Sequence, residues 1–305
     1  MKILILGAGG IGGYFGARLI QTGADVTFLL REQRKALIDR EGLQVETPQG
    51  HFSVQPRTVT SATVQAEYDL IVLGPKAYDL DDALASLSRA DSRGLLLPFL
   101  NGMDHLRLLD ARYGRERVLG GVAHIAATIT STGAVKQLSD LHRLTVGPRA
   151  AAQAALAREF VALGAGAKFD SVYSDHIEQV LWTKWVFLAT LAGMTTVCQG
   201  TVGEIVATPD GEALAREMYG ECCAVAQAEG HPISTEEQGK ALAMLTQQGS
   251  SFTASMLRDL QNGQRTEHEH ILGNMVSRGL QAGLPMSLVR LARTHLAVQA
   301  AKRKS

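Results

Sequence analysis

Residues 181–189 read LWTKWVFLA, one lysine set among tryptophans, aliphatic side chains, a phenylalanine and a threonine. A lysine buried without a partner loses its hydration, which lowers its pKa by roughly 3 to 5 units. That corresponds to on the order of 4 to 7 kcal/mol between its two protonation states. Three readings compete: the stem lies on apolar neighbours with its head in water, the ammonium pairs with a carboxylate for structural reasons, or it works on a ligand. On a helical wheel Lys184 is flanked by Val180, Leu181, Phe187 and Leu188, with Trp182, Val186 and Ala189 on the other side. A helix apolar almost all round is central and buried, which weakens the first reading. Asp175 and Glu178 have capping spacing, so the helix is predicted to start there and to run to about Cys198.

A buried ammonium calls for a carboxylate or a ligand, and residues 255–274, SMLRDLQNGQRTEHEHILGN, offer both. Ser255 is predicted to cap a short helix ended by Gly263, and Thr266 with Glu269 forms a T-x-x-E capping box for the next. Ser255 and Glu267 then stand at the starts of two consecutive helices. A hydroxyl at a helix N-terminus suits a substrate carboxylate. Glu267 has an ordinary explanation beside it, a carboxylate favoured by the helix dipole.

These residues need elements to position them, and the N-terminal half supplies a sheet. Residues 2–6 read as an apolar strand, followed by Gly7, Ala8, Gly9, Gly10, Ile11 and Gly12, which fit G-x-G-x-x-G. Ile11, Phe15, Leu19 and Ile20 then recur at helical spacing, Gly23 is a helix stop, and residues 25–30 (DVTFLL) form a second strand. Strand, glycine turn, helix and strand make the βαβ unit in which the backbone approaches a pyrophosphate at the helix N-terminus. A degenerate unit without ligand is the bland alternative. After the second strand comes Arg31, with Arg34 and Lys35 close behind, where an acidic residue would select NAD(H). A guanidinium suits a 2′-phosphate, so NADP(H) is expected; an exposed arginine at a helix start is the alternative.

Two more strands end in polar residues: YDLIVLG (68–74) before Pro75 and Lys76, and GLLLPFL (94–100) before Asn101 and Gly102. Ligands of open α/β sheets sit outside the carboxyl ends of the strands. Lys76 and Asn101 are therefore candidates for cofactor or substrate contact, against a solvated loop lysine and an Asn-Gly turn. Residues 117–128, 134–138 and 143–147 read as further strands, the later ones antiparallel at one edge. His124 and His142 within them read as structural or surface histidines. Beyond 167–173 the pattern turns helical, giving an expected division into a dinucleotide-binding domain, 1–174, and a helical domain, 175–305.

Bulk properties exclude other classes. The chain has 305 residues, 46% of them hydrophobic, and balances 30 basic against 30 acidic side chains. That is room for two cores. No basic excess points to nucleic acid or an anionic membrane; the short KRKS tail, which reads as disordered, is the exception. Cys198, Cys222 and Cys223 have no metal-ligand spacing, and reduced core cysteines suit the cytoplasm. MKILILGAGG lacks the cleavage region of a signal peptide. Residues 180–198 approach the length of a membrane span, yet Lys184 and the threonines predict a buried core helix. Small and apolar residues from Met194 to Val206 are compatible with a homodimer contact and equally with core packing.

The strings GAGGIGGYFGARL, PKAYDL, LNGMD, LWTKW and ASMLRDLQNGQRTEHEHILG, in this order along nearly the whole chain, resemble the ketopantoate reductases (2-dehydropantoate 2-reductases). The resemblance implies a Rossmann doubly wound sheet followed by an all-helical domain like that of 6-phosphogluconate dehydrogenases. It implies NADPH-dependent reduction of a small-molecule 2-oxo acid, ketopantoate to pantoate in pantothenate biosynthesis. Carried over by position, Lys184 matches the general acid, Glu267 the carboxylate beside it, Ser255 a substrate contact, Asn101 a nicotinamide or substrate contact, and Lys76 a lysine near the cofactor. One departure stands out. The family typically has substrate-contacting asparagines one and two turns after the lysine, where this chain has Leu188 and Ala192. A paralogue acting on a more apolar 2-oxo acid is therefore a second reading. The 3-hydroxyacid dehydrogenases and imine reductases share the architecture but not the 255–267 segment, and an NADPH-binding regulator without chemistry is the reading from another class.

Overall fold

Short apolar runs punctuated by glycine fold into strands, and their order defines the first half of the chain. A computed structural model describes residues 1–87, 90 and 94–303. Strands are β1 (Lys2–Leu6), β2 (Asp25–Leu29), β3 (Leu43–Thr47), β4 (Gly50–Val54), β5 (Arg57–Val59), β6 (Leu70–Leu73), β7 (Leu95–Pro98), β8 (Gly120–Ile129), β9 (Val135–Gly147) and β10 (Asp170–Tyr173). The helices among them are α1 (Gly10–Gln21), α2 (Glu32–Glu41), α3 (Leu80–Ser86), α4 (Asp104–Tyr113) and α5 (Ala154–Gly164).

The first sheet is parallel throughout, in the order β5-β2-β1-β6-β7. Ile3 to Leu6 of β1 and all of β6 are buried, as continuous apolar runs in a doubly covered sheet require. The chain leaves β1 toward β2 on one side, while β6 joins β1 on the other. The carboxyl ends of β1 and β6 therefore flank the topological switch point, where open α/β sheets bind ligands.

The later strands are not an edge of this sheet, as the sequence led us to expect, but part of a second one. Its order is β10-β9-β3-β4, with β8 paired antiparallel to β9, and the stretches at 134–138 and 143–147 are one strand. A parallel bridge from Leu96 to Val118 connects to the β7 side. Helix α1 explains the arrangement. A Cβ on Gly16 would lie 2.5 Å from Phe28 Cζ and 2.6 Å from Ile5 Cδ1, whereas one on Gly13 would lie 2.7 Å from Val135 Cγ2. The helix thus needs glycine on two faces, one against each sheet.

The second half is helical: α6 (Ile177–Cys198), α7 (Val202–Val206), α8 (Gly211–Ala228), α9 (Thr235–Leu245), α10 (Ser255–Gln261), a π-helical turn (Glu269–Gly273), α11 (Asn274–Gln281) and α12 (Ser287–Lys302). Helix α6 is long and apolar enough to cross a membrane, with 67% of its most apolar window buried inside the protein. Its buried threonines are accommodated by their own backbone: Thr190, Thr195 and Thr196 donate to the carbonyls of Val186, Leu191 and Ala192. Met194, Thr195, Thr196, Val202, Ile205 and Val206 are buried within this unit, so core packing accounts for their small and apolar character. The chain divides into two compact units, Met1–Leu100 with His105–Glu178, and Asn101–Asp104 with Gln179 onward. The division at 178/179 lies four residues beyond the expected 174/175, and the Asn101 tetrapeptide groups with the helical unit.

Two expected capping boxes do not form. Asp175 accepts instead from Tyr173 Oη at 2.7 Å, and Glu178 pairs with Arg115 and with Arg149, whose side chain is 3% exposed. Thr266 Oγ1 bonds His268 Nδ1 at 2.8 Å, and Glu269 pairs with Arg293 at 2.8 Å. In each box the glutamate is claimed by arginine remote in sequence, and the capping residue bonds a ring two residues away. The basic tail also differs from its reading: Lys302 ends α12 and Arg303 donates to the carbonyls of Gln264 and Leu260. Lys304 and Ser305 lie outside the described residues.

Candidate active site

The glycine loop is a cradle with one open side. After β1 the backbone enters the left-handed region at Gly7, φ +83°, which favours glycine, and Gly7 N donates to Leu29 O at 3.0 Å. Gly9 is the N-cap of α1, and no side chain caps this helix. A Cβ on Gly9 would meet nothing within 4 Å, whereas one on Gly12 would lie 2.6 Å from the Gly7 carbonyl oxygen. The outer side is therefore open and the inner side closed. The first-turn N–H groups at Gly10, Ile11 and Gly12 have no intrahelical acceptor by helix geometry, and with the helix dipole they suit an anion such as a pyrophosphate.

Basic residues follow the strands on either side of β1. Gly74, after β6, approaches Gly12, its would-be Cβ 3.5 Å from Gly12 N. Two residues on, half-buried Lys76 is the N-cap of a short 3-10 turn, Ala77–Asp79. Arg31 is the exposed N-cap residue of α2. Its neighbours are committed elsewhere: Lys35 pairs with Asp39, and Arg34 donates to Gly133 O at 2.7 Å and to Ala8 O at 3.1 Å. Arg34 thus braces the glycine loop from behind, a task its position in the sequence did not reveal. Of the nearby histidines, His142 Nδ1 bonds Tyr14 Oη at 2.6 Å, a structural contact.

In the helical unit, Lys184 lies on α6 with Trp182 and Trp185 buried around it. The lysine is only half-buried as a residue, yet the packing takes enough water from its ammonium to push it down to about 8, opposed by the charge of Glu267. Its Nζ donates to Asn101 Oδ1 at 3.1 Å. Glu267 is 6% exposed and occupies an N-cap-like position, its carbonyl accepting from Ile271 N at 3.0 Å. Trp185 Nε1 donates to Ile271 O at 3.1 Å, which ties α6 to the π-helical turn beside the lysine. Ser255 is the first residue of α10, after the N-cap Ala254, and its side chain does not cap that helix. Leu188 is half-buried and Ala192 fully buried, one and two turns beyond Lys184.

One group here was missed in the sequence. His270, within the π-helical turn, packs on Gly102: a Cβ there would lie 3.1 Å from His270 Cδ2. Burial lowers its pKa, while the charges of Glu267 and Asp104 and a hydrogen bond with the Asn101 backbone oppose that. Only the HEH pattern could have flagged it, and that pattern reads as a polar helix start. No group of three or more potential metal ligands occurs among the described residues. The thiols of Cys222 and Cys223 are raised by burial to about 12 and about 11, so both stay protonated.

The family model of ketopantoate reductase PanE/ApbA matches residues 3–151, and that of its C-terminal part matches 176–298. The chain belongs to the ketopantoate reductase family. It is 32% identical over 304 residues to an uncharacterized oxidoreductase, YkpB, of Bacillus subtilis, covering 99% of this chain and 100% of that one. It is 29% identical to a 2-dehydropantoate 2-reductase of Archaeoglobus fulgidus, covering 95% and 94% of the two chains. Among solved structures, a ketopantoate reductase of Ralstonia eutropha superposes with a TM-score of 0.89 at 26% identity, covering 100% of both chains. A D-mandelate dehydrogenase solved with NADH and anilino(oxo)acetate shares the fold, with a TM-score of 0.88 at 21% identity and 100% coverage of both chains. This ketopantoate reductase family member is thus an oxidoreductase with a parallel-sheet domain followed by a helical one.

Proposed function

We propose that this oxidoreductase reduces a 2-oxo acid to the 2-hydroxy acid with NADPH, ketopantoate being the first candidate substrate and pantothenate biosynthesis the setting. The observation that carries this reading is the ammonium of Lys184, lowered to about 8 by burial and held at 3.1 Å from Asn101 Oδ1. A general acid works best when its pKa lies near the working pH.

The open side at Gly7 and Gly9, the first turn of α1 and exposed Arg31 fit a dinucleotide with a 2′-phosphate, with Lys76 close to the loop. Bound there, NADPH would supply a hydride to C2 of the oxo acid. The C2 oxygen gains negative charge as the hydride arrives, and Lys184 Nζ stabilises that charge and gives up the proton that completes the hydroxyl. Glu267 favours the protonated lysine before the reaction, and Asn101 fixes the direction of the ammonium. Ser255, at the start of α10, is the proposed contact for the substrate carboxylate.

A second substrate reading rests on Leu188 and Ala192. Apolar side chains at these positions give no hydrogen bond to a substrate hydroxyl, and a site without such partners discriminates differently. A branched or aryl 2-oxo acid then replaces ketopantoate as the preferred substrate. One experiment separates the cases: NADPH and NADH consumption by the purified protein with ketopantoate and with a panel of linear, branched and aryl 2-oxo acids. Turnover of ketopantoate supports the first reading and of apolar acids the second. Tight NADPH binding with no turnover on any acid would overturn both and favour a regulator.

A further inference from the structure

We propose that His270 is a positioning residue of this site, its ring holding the Asn101–Gly102 turn so that Asn101 Oδ1 stays aimed at the Lys184 ammonium. The role in catalysis rests on the 2-oxo acid reductase reading; the positioning itself does not.

Three observations carry the inference. First, the His270 ring and backbone lie directly on Gly102. A Cβ there would sit 3.1 Å from both His270 Cδ2 and His270 O and 3.4 Å from Nε2, and Gly102 has φ +80°. The turn therefore combines a backbone conformation that favours glycine with a contact that a Cβ could enter only if the histidine gave way by a few tenths of an ångström. Second, a hydrogen bond with the Asn101 backbone favours the protonated imidazole, the sense expected where the ring donates to the Asn101 carbonyl. Third, His270 is itself held: Asn274 Nδ2 donates to its carbonyl at 3.1 Å, and the next carbonyl, of Ile271, accepts from Trp185 Nε1 at 3.1 Å. Trp185 follows Lys184 in the chain, so the acid and the clamp on its acceptor share one rigid support.

The π-helical turn is what makes this geometry available. A widened turn displaces side chains from ordinary helical positions, and such turns recur at functional sites. The groups facing the His270 ring are Glu267, Asp104 and the Asn101 backbone. The ring is neutral near pH 8, so replacing it removes a hydrogen bond and a packing surface but no charge. Asn101 Oδ1 accepts from the charged form of Lys184 and favours it. If the turn loosens, that support weakens and the lysine loses its proton more readily.

The test uses the full chain with 13C,15N-labelled lysine, the Lys184 signal being assigned by its absence in Lys184→Met and titrated by NMR. One hydrogen bond contributes about 0.5 to 1.5 kcal/mol, so His270→Ala should lower the Lys184 pKa by roughly 0.4 to 1 pH unit. His270→Phe, which keeps ring bulk without the donor and guards against a folding defect, should do the same, and His270→Gln should restore part of the shift. Asn101→Ala should shift the lysine likewise, and the double variant should show no further shift, because both act through one amide. With an oxo acid that is turned over, the pH limb of reduction should move by the same amount while NADPH affinity stays unchanged. An unchanged Lys184 titration in His270→Phe, or additive shifts in the double variant, overturns the proposal. A shift in the titration without turnover on any acid overturns the proposed function and leaves the positioning role standing.

Discussion

Lys184 Nζ donates to Asn101 Oδ1 at 3.1 Å, although the two residues stand 83 positions apart in the chain. The acceptor is a neutral amide, which directs the ammonium. Burial outweighs the charge of Glu267, and the lysine titrates at about 8 rather than its usual 10.5.

Reduction should consequently need a group that is protonated below about pH 8. The rate with saturating NADPH should be flat at lower pH and fall about tenfold per pH unit above that value. Oxidation of the hydroxy acid, which needs the free amine, should show the opposite limb. A pH series of kcat/KM in both directions checks this, and a limb that persists in Lys184→Gln would assign it to another group.

Lys184→Met should lower turnover by about 10²- to 10⁴-fold, the usual contribution of a general acid, and leave NADPH binding intact. Stability should respond to pH in a defined sense. The folded lysine has the lower pKa, so between about 8 and 10.5 the unfolded chain holds more protons and stability rises with pH. The unfolding free energy of wild type relative to Lys184→Met should climb across that window by up to about 3 kcal/mol. Urea denaturation at several pH values measures it.

Gly9→Ala and Gly12→Ala should separate cofactor binding from folding. The first adds a Cβ to open space and should leave the melting temperature unchanged while weakening NADPH on the order of tenfold, about 1.4 kcal/mol. The second drives a Cβ to 2.6 Å from Gly7 O and should cost about 1 to 3 kcal/mol of stability. Calorimetric titration and thermal melts report the two quantities independently.

Arg31→Ala should weaken NADPH by about 1.5 to 3 kcal/mol, the range for a hydrogen bond to a charged group, and leave NADH affinity unchanged. Equal losses for both cofactors would remove the assignment of Arg31 to the 2′-phosphate.

Arg149 joins Asp110 at 2.6 Å and Glu178 at 3.2 Å with its own side chain 3% exposed. Arg149→Leu strands the Asp110 carboxylate, leaves Glu178 to Arg115 alone, and should cost about 3 to 5 kcal/mol. Arginine contacts hold the Glu178 carboxyl below its ordinary value, so its contribution is present above the unfolded pKa and lost as pH falls through the folded one. The difference between wild type and Arg149→Leu should accordingly shrink in acid.

The parts of this molecule that could be read from its sequence are those encoded locally. β1, the glycine turn, α1 and β2 follow each other within one uninterrupted pattern, and Lys184 announces itself by contrast with its neighbours. The second sheet was misread because β9 finds its partners through pairings remote in sequence: β3 far upstream and β10 downstream. Gly13 and Gly16 carried the missing signal, since a helix with small residues on two faces must be packed on both. The capping boxes at 175–178 and 266–269 failed for a related reason, their acids being claimed by Arg149 and Arg293 from other segments. His270 was invisible because its significance depends on Gly102, which no local pattern connects to it.

The grouping of Asn101–Asp104 with the helical unit bears on any attempt to shuffle modules within this family. The polypeptide leaves the strand-rich unit at residue 100, lends four residues, returns at 105 and departs for good only after 178. A fragment cut out from Gln179 onward would carry Lys184, Glu267 and His270 but neither the amide that Lys184 addresses nor the glycine under the imidazole. Chimeras joined at the obvious single crossover would inherit a lysine from one parent and its acceptor from the other. Engineering of this scaffold should therefore treat the tetrapeptide as an exon of the helical half, to be transplanted with it.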